Sequence, residues 1–269
     1  MADTPRSFVR AMSSLWGRGY WVTWHPSTRL RLGEVGTAGE GEFVGISSLQ
    51  ELEITAPSTL AETRDDLTWR SEGGVNVTTK ASGQTSPLFQ GLADAQAGML
   101  VEFTQGNAIL VAYKGLSETR LASQPALAVE MLRRYWLGTW SLDWYVVSHV
   151  VTAESGTVLM SRDGRTAVEL AASASVLGGA IGLADLAAGV QVARSSGLAL
   201  ELIGTEMTPF FRVVRLRKRF LRGVEATYGE PGRLRSAAGR PAELPAELVE
   251  EAREDTDSVL ELPDQAADD

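Results

Sequence analysis

The sequence predicts an α+β fold. The expected form is a single β-rich domain on a twisted, mainly antiparallel sheet of hairpins. An N-terminal amphipathic helix, few other helices and a short acidic C-terminal tail complete it. Three observations predict it. Short runs rich in Val, Ile, Thr and aromatic residues follow one another, separated by Gly, Asn or Asp. Helical periodicity is confined to a few segments. Charge is segregated: residues 240–269 hold 2 basic and 11 acidic side chains, so the net charge of −9 belongs to the tail and the rest is neutral.

Pro5 to Trp16 reads as the amphipathic helix, with Phe8, Val9, Met12, Leu15 and Trp16 on one face and Arg6 and Arg10 off it. YWVTWH reads as a strand stopped by Pro26, and RLRLGEV and EFVGISSL as two more. Ala56 to Thr68 is polar and loop-like. LTWRS and GVNVTTK look extended, with a turn or bulge at Gly73-Gly74. MLVEFT and AILVAYK flank Gln105-Gly106-Asn107 as a hairpin would. Pro125 to Leu137 is the clearest helix, with proline at its first turn. WYVVSHVVTA is a strong strand. TVLMS and RTAVELAA meet at Asp163-Gly164, a favoured hairpin dipeptide, and GVQVA and LALELI meet at Arg194 to Gly197. FFRVVRLR closes the set. The body is expected to span residues 1–228. Residues 229–269 would be a Gly/Pro/Ala-rich linker and the acidic tail.

Val168 to Ala193 carries only Glu169 and Asp185 as charges. It has the length of a membrane helix, about 20 residues. Yet Ala, Gly and Ser add little insertion energy. The better expectation is strand, short apolar turn or helix, strand. Such strands could sit in a core or, needing about 9–11 residues and one apolar face, cross a membrane.

Chemistry is hard to find. There is no cysteine, so disulfides, thiolate metal sites and thiol nucleophiles are excluded. The two histidines, His25 and His149, lack a second ligand at useful spacing. No nucleophile elbow or phosphate-cradling loop occurs. The sequence therefore predicts no catalytic, cofactor-binding or metal-binding residues and no enzyme. A neutral body with an acidic tail argues against a nucleic-acid partner. The start has no apolar run suited to a signal peptide, so the cytoplasm is the expected compartment.

The basic run Arg212, Arg215, Arg217, Lys218, Arg219 and Arg222 contains no acid. It reads either as an edge strand guarded by charge or as a patch for anionic lipid head groups, extended by Arg6 and Arg10. The first helix can likewise dock on a core or lie on a membrane. The tail carries Leu244, Leu248, Val249, Val259 and Leu260 among its acids. It could mask the basic surface or serve as a solubilising appendage.

The order of these features resembles the bacterial gasdermins: an N-terminal helix, GYWVTWHP, the MLVEFT segment, the Pro125 helix, WYVVSHVV, ASASVLGGAIGL, GVQVARSSGLALELIG and TPFFRVVRLR before a short tail. The resemblance implies a chain without catalytic activity, held inactive in the cytoplasm by a C-terminal segment within 233–262. A partner protease would remove that segment. The body would then form a homo-oligomeric pore in the cell's inner membrane and kill the cell, as in antiphage defence. The inserting strands would come from about 68–103 and 157–202. The N-terminal cysteine acylated in bacterial members has no counterpart here, so that attachment does not carry over. The alternative is a soluble β-rich protein-interaction module without membrane activity.

Overall fold

In the computed structural model, residues 4–25, 28–39, 42–60, 65–172, 186–187, 190–228 and 243–265 are described. The first helix, α1 (Thr4–Met12), is shorter than its apolar pattern predicts. The Ser13 hydroxyl bonds back to the Arg10 carbonyl, and Leu15 N–H reaches only to Met12, a tightened last turn. Trp16 still packs inward, stacked on Phe210.

Two sheets organise the chain. The larger contains β1 (Trp21–Val22), β2 (Glu34–Gly39), β3 (Glu42–Ser48), β4 (Ser58–Leu60), β5 (Asp65–Arg70), β8 (Ile109–Leu121), β9 (Tyr145–Ser161), β12 (Leu198–Leu216) and β13 (Leu260–Glu261). The smaller runs β11 (Val190–Ser196), β10 (Thr166–Ala172), β7 (Gly98–Phe103), β6 (Val75–Lys80). All pairings are antiparallel.

Several expectations change. YWVTWH yields only the two-residue β1; Thr23 N–H still reaches Pro209 O at 3.1 Å, and His25 takes a left-handed φ of 65°. RLRL is not strand; β2 starts after a turn at Gly33. The polar stretch expected to be loop contributes β4 and the start of β5, recruited by pairing with β8. Most importantly, the two turns expected to close hairpins, Gln105 to Asn107 and Asp163-Gly164, do not, and neither does the join at Arg194 to Gly197. β7 does not pair with β8, β9 with β10, or β11 with β12. Each turn instead carries a strand from one sheet into the other.

The result is two long, bent hairpins. The first runs out along β5–β6 and back along β7–β8; the second runs out along β9–β10 and back along β11–β12. The strand order of the small sheet, β11-β10-β7-β6, repeats that of β12-β9-β8-β5 in the large one. Hydrogen bonds hold both ladders together at the corner: Thr104 N–H to Gly74 O at 3.0 Å, Arg162 N–H to Gly197 O at 2.9 Å. Gly197, with φ of 76°, supplies the left-handed residue that lets β11 turn directly into β12.

The bend folds the small sheet back on the large one. Val75, Met99, Val101, Phe103, Val168, Leu170 and Val190 from the small sheet share a core with Leu110, Ala112 and Leu159 from the large. Leu186 and Ala187 join that core, and the Thr157 hydroxyl donates to the Leu186 carbonyl at 2.7 Å. The long low-charge run thus begins and ends as strand; its centre, 173–185 and 188–189, lies outside the described residues. A second core, beneath α1, gathers Phe8, Met12, Val111, Tyr113, Val151, Val158 and Phe210. A third gathers the remaining helices.

Candidate functional site

The third core is where the C-terminal segment sits. Helix α2 (Gln124–Trp136) starts at Ser123, whose side chain accepts the Ala126 N–H, with Pro125 in the first turn. It buries Leu127, Ala128, Val129, Met131, Leu132, Tyr135 and Trp136. Helix α3 (Lys218–Tyr228) follows β12 and lays Leu221 and Val224 into the same core. The Tyr135 hydroxyl donates to Glu225, tying α2 to α3.

The acidic tail is folded, not frayed, between Glu243 and Gln265. It forms α4 (Ala246–Glu254), α5 (Thr256–Val259) and β13. Leu248, Ala252, Val259 and Leu260 are buried against α2, α3 and the end of β12, and Leu244 and Val249 pack beside them. All five tail residues singled out from the sequence therefore meet at one interface.

Backbone pairing continues the attachment. β13 adds a strand to the open edge of β12, Arg215 opposite Glu261 and Leu216 opposite Leu260. Arg217 N–H donates to Val259 O at 2.8 Å. Further on, the Trp21 indole donates to Pro263 O at 2.8 Å. The Gln265 amide copies a strand: its oxygen accepts Val22 N–H at 2.8 Å and its nitrogen donates to Val22 O at 2.9 Å. A cleft of about 500 Å³ then separates α1 from Asp264 and Gln265.

The basic run is divided by this arrangement. It reads as one strand in the sequence, but the strand stops at Leu216 and Lys218 opens α3. The Arg212 guanidinium lies 4.3 Å from the Tyr20 ring centre and donates to Arg18 O. Arg215 pairs with Glu261 at 2.6 Å and donates to the Tyr145 hydroxyl at 2.5 Å. Arg217 reaches Leu260 O at 3.4 Å, and Lys218 pairs with Asp143 at 3.0 Å. Arg219 and Arg222 are exposed on α3, and Arg6 and Arg10 are exposed on α1. Arg215 and Arg217 thus bond to the tail, whereas Arg6 and Arg10 border the cleft beside Asp264 and Gln265, and Arg219 borders a groove with Glu247 and Glu251.

His149 is buried beside Glu118 and Arg212. Burial chiefly, with help from Arg212 and Arg120, pushes its pKa down to about 4; Glu118 opposes this more weakly. The Ser148 hydroxyl donates to Arg212 O and sits 3.0 Å from His149 Nδ1. Ser148 is fully buried, so the pair presents no nucleophile to a substrate. No group of three or more metal-ligating side chains occurs among the described residues. A histidine neutral in the fold and protonated on unfolding stabilises fully above its unfolded pKa of about 6.5. That stability drains away as pH falls from about 6.5 towards 4, a loss of up to about 3 kcal/mol. The difference in melting temperature between the protein and a His149→Gln variant should therefore shrink over that window.

No known protein family matches the sequence, and no curated protein matches it. Among solved structures, the chain is similar to the cryo-EM structure of the gasdermin A3 membrane pore. The TM-score is 0.34 and the identity 12%, over 80% of this chain and 90% of that one. A likeness at that level transfers neither fold nor residue roles.

Residues that the sequence reading passed over include Trp21, Gln265, Lys80 and, as a functional residue, Glu169. Lys80 and Glu169 carried one signal: each is the charged member of an otherwise alternating strand, VNVTTK or AVELA.

Proposed function

We propose that this chain is a pore-forming protein, autoinhibited by its docked C-terminal segment. Proteolytic cutting in 229–242 would release that segment, and the two bent hairpins would then straighten and insert as strands in a homo-oligomer. The inactive form would sit in the cytoplasm and the active form in the inner membrane; cell death in antiphage-type defence follows from the gasdermin resemblance. The observation that carries the proposal is the two-faced small sheet. Val75, Val77, Met99, Val101, Phe103, Val168, Leu170 and Val190 lie on one face, whereas Asn76, Thr78, Lys80, Glu102 and Glu169 lie on the other, together with Leu100, Ala167 and Ala171. That alternation is what a barrel strand needs, lipid on one side and water on the other.

Strand length supports it too. β8, β9 and β12 have 13, 17 and 19 residues before their continuations are added. A membrane strand requires about 9–11. Among the described residues no helix is long and apolar enough to cross a membrane.

A soluble interaction module is the second reading. It is favoured by β3, an edge strand with Val44 and Ile46 each about half exposed. Vesicle leakage separates the two. A site-specific protease sequence is placed within 229–242, and the folded protein is cut in the presence of vesicles of mixed zwitterionic and anionic phospholipid. Leakage only after cutting is the expected result. Arg219→Glu with Arg222→Glu should weaken vesicle binding without altering stability, since both side chains are exposed. No leakage from cut, released and soluble body removes the pore reading.

A further inference from the structure

We infer that residues 81–97 form a releasable strap, which joins the distal halves of the two hairpins through two buried charges of opposite sign. The segment links β6 to β7 within the first hairpin. It does not project from the tip. It folds back across the polar face of the small sheet, where Phe89 and Leu92 meet Leu100, Ala167 and Ala171.

The two charges come from different hairpins. Lys80 closes β6 of the first and is 2% exposed. Its ammonium donates to Ala93 O at 2.8 Å, Gln96 O at 2.9 Å and Asp94 O at 3.3 Å. Three protons meet three carbonyls, so the group is saturated. Glu169 lies in β10 of the second hairpin and is 5% exposed. Its two oxygens accept Gly91 N–H at 2.7 Å and Gln90 N–H at 3.2 Å. Arg194 of β11 adds a bond to the Gln90 side chain. The strap belongs to one hairpin and grips the other.

The chemistry makes the strap separable. A buried charge is costly unless its hydrogen bonds are complete. Here strap backbone completes them. With the strap lifted, both charges are on the polar face and water completes them instead. Only a small apolar cluster tips the balance towards closure. The core on the opposite face draws on none of these bonds. Opening is thus local: it removes the strap's cover from both hairpins and leaves the β7–β10 ladder as the link between them. Gly91 fits the grip: a Cβ there would come within 3.2 Å of the Glu169 carboxylate and 3.3 Å of the Arg194 Cβ.

Amide hydrogen exchange on the full-length chain tests this, with Lys80→Met and Glu169→Gln. Both should accelerate exchange in 81–97 by about tenfold or more, the scale of a lost charged hydrogen-bond set. Lys80→Met should also accelerate exchange in β10 and β11, which its side chain does not contact, while β8, β9 and β12 stay protected. Glu169→Gln should do the same to β6 and β7. Acceleration confined to 81–97, or spread evenly over the chain, overturns the inference. So does failure of both variants to fold, since the charges would then hold the core and not a strap. The result is independent of membranes. A second arm rests on the pore reading: cut Lys80→Met should leak vesicles faster than cut unsubstituted protein. Slower or equal leakage, with the exchange pattern as expected, sinks the strap's part in insertion and leaves the strap itself standing.

Discussion

Ala252→Asp is expected to detach the C-terminal segment while the body stays folded. Ala252 is fully buried on α4, among apolar side chains of α2, α3 and β12. A carboxylate there must be dehydrated without a designed partner, at a cost of several kcal/mol. The segment has a cheaper response than global unfolding. Its ties to the body are one apolar interface, the two-residue β13, the Arg215–Glu261 ion pair, the Arg217 bonds to Val259 O and Leu260 O, and the Trp21 and Gln265 bonds. Those can open as a unit while the β8–β9–β12 ladders persist. Hydrogen exchange should therefore rise in 246–261 and remain slow in those strands. On the pore reading, this uncut variant should leak vesicles. Concerted loss of tail and body would make the segment part of the obligatory core, and the detachable-lid idea would fail.

The second large effect separates the faces of a single strand. Val77 lies against the inter-sheet core, and its neighbour Thr78 points to the opposite face. Val77→Lys in the cut protein should reduce leakage about tenfold or more, because each lipid-facing lysine near the bilayer midplane costs about 2–4 kcal/mol. Each 1.4 kcal/mol is about a factor of ten. Thr78→Lys should retain leakage, since its face meets water. Both variants should fold before cutting: Val77 is only partly buried and Thr78 is not in the core. Equal losses, or none, would mean that the strands do not present these faces to lipid.

Much of this was legible in the sequence, for local reasons. The α2 helix announced itself through Pro125 and its apolar spacing, and β9 and β12 through β-branched and aromatic runs. The five apolar tail residues and the basic run were visible because charge and hydropathy are local properties. That they meet was not visible. Glu261 finds Arg215 across 46 positions, and Gln265 finds Val22 across 243. Lys80 and Glu169 each sit as the charged residue of a short strand, a pattern that by itself fits a solvent face. Nothing near either in sequence says that a loop will bury both.

The sequence by itself determined the α+β composition, the alternation that gives the small-sheet strands one apolar and one polar face, and the separation of a neutral body from an acidic tail. The tertiary structure alone decided what the turns do. Glycine, asparagine and aspartate tolerate the tight or left-handed backbone that can either close a hairpin or turn a strand out of one sheet into another, and Asn107 and Gly197 take φ of 59° and 76° here. The residues at Gln105 to Asn107, Asp163-Gly164 and Gly197 suit either outcome. Which one occurs depends on where the partner strands lie, and only the packing of the two sheets around their shared core fixes that.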